Sequence, residues 1–240
     1  VGAAGLWSRR LPEYRFLRHW AAAYPPAATR PANDVSTADR GAGQATPTVA
    51  PVQSQLAVAA ATHAAARTVY DGAYATMTYP GGDVAPDRGV CTDLVVRALR
   101  DIGIDLQQVV HDDMATAFDA YPSIWGATGP NAHIDHRRVP NLMVFFTRAG
   151  AVLPNSADPD DYRPGDIVAW RLTAGMTHIG IVTHARSTDG QRPLMAHHQR
   201  GWPEVADVLF ARPIIGHYRY PATADVAAPH NPIDTPPPPW

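Results

Sequence analysis

The stretch DRGVCTDLVVRALRDIGIDL, residues 87–106, carries the one cysteine of the chain, Cys91. Leu94, Val95, Ala98, Leu99 and Ile102 follow it at helical spacing. The pattern predicts a helix that begins within a residue or two of Cys91 and stops at Gly103. A thiol at a helix N-terminus meets unpaired backbone N–H groups and the positive end of the helix dipole. Both favour the thiolate, which is the nucleophilic form. The placement suits covalent catalysis by a thiol of lowered pKa. It suits equally well an inert cysteine that packs the helix start, and position alone leaves both readings open.

A cysteine nucleophile needs a base within hydrogen-bond reach, and the base needs an orienting group. His178 opens the run HIGIV, where a strand start can face a helix N-terminus packed across a sheet. His197 and His198 lie in the next run, RPLMAHHQ. If the two runs pair as a hairpin, one of these histidines comes to lie beside His178. Side chains alternate along a strand, so only one of the two neighbours can support it. Metal is the rival chemistry. The segment HIDH brings His133, Asp135 and His136 together. The chain has no HExxH, however, and HIDH matches no common zinc spacing. The thiol route needs neither metal nor cofactor.

The elements that must position these residues follow from composition. Residues 1–20 mix aromatic and basic side chains, in the manner of a short helix or an interfacial segment. Together with the Ala/Pro/Thr-rich stretch after them they form an N-terminal segment and linker, residues 1–52. Residues 53–220 form the ordered domain, and residues 221–240 a Pro-rich tail of polyproline character. Within the domain, the Ala-dense run from Gln55 towards Tyr70 reads as a helix, residues 106–122 as helical or irregular, and Pro140 to Arg148 as a helix. The last third reads as strands: YRPGDIVAWRL after the turn at Pro164–Gly165, THIGIVTHA, RPLMAHHQ and IIGHYRY. Helices first and an antiparallel sheet after them make an α+β fold.

Composition narrows the function classes. A formal net charge of −2 offers no electrostatic grip on nucleic acid. All 20 basic residues are arginine, a bias that goes with GC-rich coding rather than with function. No apolar run approaches the roughly 20 residues of a membrane span. Because the sequence opens on Val1, a missing N-terminal piece is expected, a signal peptide or anchor among the candidates. Exported proteins commonly use paired cysteines or none, so a lone cysteine is either inert or working.

Five motifs in order, YPGGDVAPDRGVCTDLVVRALRDIGIDLQ, HIDHRRVPNL, YRPGDIVAW, HIGIV and GHYRY, resemble the bacterial family catalogued as domain of unknown function 1287. The resemblance covers roughly residues 53–220. That family is similar in turn to the NlpC-type cell-wall peptidases of the papain-like superfamily. The resemblance implies Cys91 as nucleophile, His178 as base and His197 as the orienting third residue. The family usually has His-Asn in this strand, followed by a Gly-rich turn, whereas here His197, His198 and Gln199 stand in a row. Asp93 and Asp166 also match family positions and read as structural, Asp93 bonding within the first helical turn or pairing with an arginine.

The implied activity is hydrolysis of amide bonds in peptidoglycan stem peptides, in the periplasm or outside the cell. The setting would be a wall remodeller or an antibacterial effector, the latter with an immunity protein as partner. Arg137 and Arg138 are candidate binders of stem-peptide carboxylates, because guanidinium forks match carboxylate geometry, and His198 is a third substrate contact. The arginines can equally pair with acids inside the fold. Two other functions share this outline: a catalytically inactive module that binds wall peptides, and a thiol acyltransferase.

Overall fold

The computed structural model describes residues 51–221. The expectations for residues 1–20, for nearly all of the linker and for the Pro-rich tail fall outside the described residues. Helix α1 (Val52–Ala64) starts three residues before Gln55, directly after Pro51, which lacks the N–H a helix start leaves unpaired. It ends short of Tyr70 because strand β1 (Val69–Tyr70) pairs in parallel with β2 (Arg88–Gly89). This tertiary pairing overrides the helical propensity of the Ala-rich run. Helices α2 (Cys91–Asp101), α3 (Leu106–Ala117) and α4 (Val139–Arg148) follow. Gly103 ends the α2 segment at φ +87°, the left-handed conformation that glycine adopts without strain.

The sheet holds β3 (Ile167–Arg171), β4 (Thr177–Arg186), β5 (Pro193–His197), β6 (Glu204–Ala206) and β7 (Ile214–Tyr218) in the order β6-β5-β4-β3-β7. All of its pairings are antiparallel. The α+β expectation is met, and β6 is a strand that periodicity did not reveal.

Both faces of the sheet are covered, which explains strands that are apolar almost throughout. On one face, Leu56, Ala60, Val95, Leu99, Leu142 and Phe146 of the helices pack on Ile167, Ala169, Ile179, Ile181 and Ala196. On the other, Val168, Trp170, Val182 and Met195 pack with Tyr162 and Leu209. The turn at Pro164–Gly165 locks α1 to the start of β3. Gly165 has φ +90°, and a Cβ there would lie 2.2 Å from the Gln53 carbonyl oxygen. Among the described residues, no helix is long and apolar enough to cross a membrane.

Candidate active site

Cys91 is the first residue of α2, preceded by extended Val90 (φ −129°, ψ −175°). Asp93 holds this start in place from two sides. Its Oδ2 accepts the Val90 N–H at 2.7 Å, the backward reach of an acid at the third helical position. Its two oxygens also take Arg137, Nε to Oδ1 at 2.8 Å and Nη2 to Oδ2 at 3.0 Å. Arg137 donates further to the Ala73 carbonyl at 3.0 Å, and the Arg137 carbonyl accepts from Thr92 Oγ1 at 3.1 Å. The structural reading of Asp93 is therefore correct in both of its forms. Arg137 as a substrate binder is not: its guanidinium is buried and spent on acceptors inside the fold.

The sulfur lies in a dry site, with Cys91 only 6% exposed. Burial pushes the thiol up to about 12, against the pull of the N–H groups of Ile179, Thr92 and Cys91 itself. The Asp93 carboxylate adds to the upward push. The expected lowering of the thiol pKa is thus corrected. Helix-terminal donors are present, but desolvation outweighs them, and the resting sulfur is a neutral thiol. The Ile179 N–H is free to meet the sulfur because β5 pairs with β4 only from Gly180 onward, opposite His197. The thiol therefore reaches the margin of β4 at the residue next to His178.

The His178 ring stacks on Trp170, its cross-strand partner, with centroids 5.6 Å apart. It lies on the Trp170 face of the sheet rather than looking across it at the helix, so the expectation that His178 faces the helix start across the sheet is corrected. His178 Nε2 is 3.1 Å from His197 Nδ1. One of these two nitrogens carries the hydrogen. If His178 is to accept a proton at Nδ1, its Nε2 must donate to His197, whose own hydrogen then sits on Nε2. That atom is buried without a hydrogen-bond partner and lies 3.7 Å from Glu204 Oε1. Glu204 stands directly opposite His197 in the β5–β6 ladder. Burial, and then the neighbouring His197 and His198, push His178 down to about 3. Burial also lowers His197, with Glu204 pulling upward.

His198 follows the end of β5 and turns elsewhere. Its Nε2 is 3.2 Å from the Gly201 carbonyl, and its ring meets Tyr70 edge-on at 5.1 Å. It is 1% exposed, so it offers little to a substrate.

Arg138 differs from Arg137. Its guanidinium lies over the Trp125 ring at 4.2 Å and lines an open cavity of about 650 Å³. The HIDH cluster does not assemble. His133 Nδ1 accepts the Met77 N–H at 3.3 Å, while His136 is buried and pushed down to about 4, first by desolvation. Among the described residues, no group of three His, Cys, Asp or Glu side chains could hold a metal ion.

A family model described as a domain of unknown function, DUF1287, matches residues 57–220. The chain belongs to the DUF1287 family. The uncharacterized protein YijF of Escherichia coli (strain K12) is 47% identical over 178 residues, which cover 72% of this chain and 86% of that relative. No solved structure matches.

In this DUF1287 chain the Asp of the PGD turn is a structural anchor. Asp166 is fully buried, takes Arg219 at 2.7 and 2.8 Å, lies 3.0 Å from His217 Nε2, and accepts the Arg163 N–H at 2.8 Å. Sequence reasoning missed two residues of the site region. Glu204 lies in GWPEVA, too short and too mixed for strand alternation to mark. Trp125 lies in a Gly-rich loop whose composition announces only a turn.

Proposed function

We propose that this DUF1287 chain is a cysteine hydrolase of NlpC type, within the papain-like superfamily, that cleaves amide bonds of peptidoglycan stem peptides in the cell envelope. The observation that carries the reading is the pairing of His178 with His197 at 3.1 Å, in a strand whose next residue, Ile179, turns its N–H to the helix-terminal thiol. With Nε2 engaged by His197, Nδ1 is the nitrogen of His178 left to serve the thiol.

The mechanism starts from a neutral pair. The Cys91 proton moves to His178 Nδ1 as the sulfur attacks the substrate carbonyl. The N–H groups of Cys91 and Thr92 stabilise the oxyanion that forms. His178 returns the proton to the leaving amine, and a thioester remains on Cys91. Water, deprotonated by His178, then attacks the thioester; that proton goes to the departing sulfur, and the new acid leaves as a carboxylate, its own proton lost to solvent. A remodelling enzyme and an antibacterial effector with an immunity partner both accommodate this chemistry.

The test is digestion of purified sacculi, with mass spectrometry of the fragments. Wild type should release fragments bearing one new amine and one new carboxylate. Cys91→Ala and His178→Ala should release essentially none, and His197→Ala about 10- to 1000-fold less than wild type, because an orienting group positions the base without moving the proton. His198→Ala should stay near wild type, and EDTA should change nothing. The burial of Cys91 favours one second reading, a module of the same fold that binds wall peptides without cutting them. Binding to sacculi without any new fragment would establish that reading instead.

A further inference from the structure

Arg138 is the anomaly of the site region. Its side chain is 21% exposed, and its ion pair with Asp135 is too long for a hydrogen bond. Asp135 Oδ1 stands 3.6 Å from the guanidinium, close enough for an ion pair but outside hydrogen-bond reach, and is itself buried without a hydrogen-bond partner. A partly desolvated guanidinium normally finds acceptors for its donors. This one instead lies against the Trp125 ring and faces the cavity, which Gly126, Thr128, Asn131 and His133 also line. Trp125 keeps φ +80°, a conformation that costs a bulky residue energy and persists where surrounding structure enforces it.

We propose that this cavity binds the free carboxylate of a peptide, with Arg138 as the fork that grips it and Trp125 as the platform that holds the fork. This rests on the reading of the chain as a stem-peptide hydrolase and adds to it the subsite that selects the substrate. A carboxylate fits better than a phosphate. Arg138 is the only permanently charged cation among the residues that line the cavity, and Asp135 behind it offsets part of its charge. A dianion calls for more positive charge than that, whereas a planar monoanion matches one guanidinium fork. The cavity volume of about 650 Å³ suits a short peptide. The subsite is tied to the nucleophile through Thr92, whose hydroxyl bonds the Arg137 carbonyl. Arg138 and Cys91 are each one residue from that bond.

The test is calorimetric titration of the full chain carrying Cys91→Ala, which cannot turn over. The ligands are a synthetic stem tetrapeptide and versions of it in which each carboxylate is amidated in turn. One amidation should weaken binding by about tenfold to a hundredfold, the span of a charge-assisted bond. Adding Arg138→Gln should weaken the unmodified peptide by a similar factor and abolish its advantage over that amide. Trp125→Phe should retain most of the discrimination, and Trp125→Ala should lose it. Circular dichroism confirms the fold of each variant. The proposal is overturned if every amidated peptide binds as well as the parent, if Arg138→Gln still discriminates, or if no peptide binds. Discrimination in this assay alongside no cleavage by the unsubstituted chain would sink the hydrolase reading and leave the carboxylate site standing.

Discussion

Cys91 carries two opposing influences, and their balance sets its reactivity. Three N–H groups pull its pKa down, while burial pushes harder and brings it to about 12. A thiol in that state is almost wholly protonated at pH 7. Iodoacetamide should therefore alkylate Cys91 more slowly than free cysteine, whose pKa is near ~8.5. Stopped-flow or mass-spectrometric labelling from pH 6 to 9 checks this, and faster labelling at pH 6 would show a thiolate at rest. Glu204 makes a second residue-level case. Burial lowers His197 and the Glu204 carboxylate pulls it back upward, while His197 Nδ1 lies 3.1 Å from His178 Nε2. Glu204→Gln removes a negative charge, so the imidazoles lose basicity and stay neutral to lower pH. The acid limb of the kcat/KM profile should move to lower pH, with the plateau reduced by roughly threefold to tenfold, a modest part of the usual general-base contribution. An unmoved acid limb would place Glu204 outside the relay.

At the scale of elements, the β4–β5 hairpin decides where the histidines meet. Gly180 pairs with His197, and a Cβ on it would lie 2.8 Å from the Ala196 carbonyl oxygen and 3.1 Å from His197 Cβ. Backbone cannot yield as a flexible side chain does, so Gly180→Ala must spread the two strands. The expected outcome is a fall in kcat of at least about tenfold, from displacement of the base by a fraction of an ångström or more. Gly72→Ala is the control, since its added carbon would meet Val90 at an ordinary 3.7 Å. Equal kcat in the two variants would mean that the hairpin tolerates the change.

The hairpin and α2 were legible in the sequence because each rests on periodicity or on a turn residue, and α1 because of its alanine density, whereas α3 lay in a stretch that read equally as helical or irregular. Alternation required that only one of His197 and His198 meet His178 but did not say which; the family resemblance pointed to His197, and it is His197 that meets His178 while His198 turns to Gly201. What stayed hidden arises from pairings distant in sequence. Arg137 reaches Asp93 across 44 residues, and only the packed loop commits it there. The raised thiol pKa depends on the depth of the site, which local sequence does not encode. The face on which His178 lies follows from a sheet covered on both sides, where no polar alternation marks inside from outside.

For the whole molecule, the buried histidines make stability depend on pH. His178 and His136 are pushed down to about 3 and about 4, and His197 and His198 are lowered as well, burial leading in every case. In the unfolded chain these groups take up protons near pH 6.5, so acid favours unfolding. Their contribution is complete above about pH 6.5 and declines below it until the folded-state values are reached. Each such histidine can contribute a slope of up to about 1.4 kcal/mol per pH unit in that window. Asp166, lowered in the fold by His217 and Arg219 against the cost of its burial, adds a further loss at lower pH, below the usual carboxylate range. His136 lies outside the thiol–histidine set, and its Nδ1 is buried without a partner. His136→Gln should flatten the plot of unfolding free energy against pH between about 6.5 and 4, by close to one proton's worth of slope. Urea titrations at each pH measure it, and an unchanged slope would mean that His136 is not held neutral by the fold.

On the proposed hydrolase reading, Cys91 forms a thioester with the acyl part of a stem peptide. The most direct test of this claim is intact-protein mass spectrometry after rapid acid quench of the enzyme mixed with a purified muropeptide. The expected result is a transient adduct equal in mass to the acyl fragment, mapped to Cys91 by peptide digestion and absent in Cys91→Ala. The same reaction run in ¹⁸O-labelled water should place one labelled oxygen in the new carboxylate, as hydrolysis requires and transfer to an amine does not. Undiminished product from Cys91→Ala, with no adduct on the wild-type enzyme, would contradict the claim.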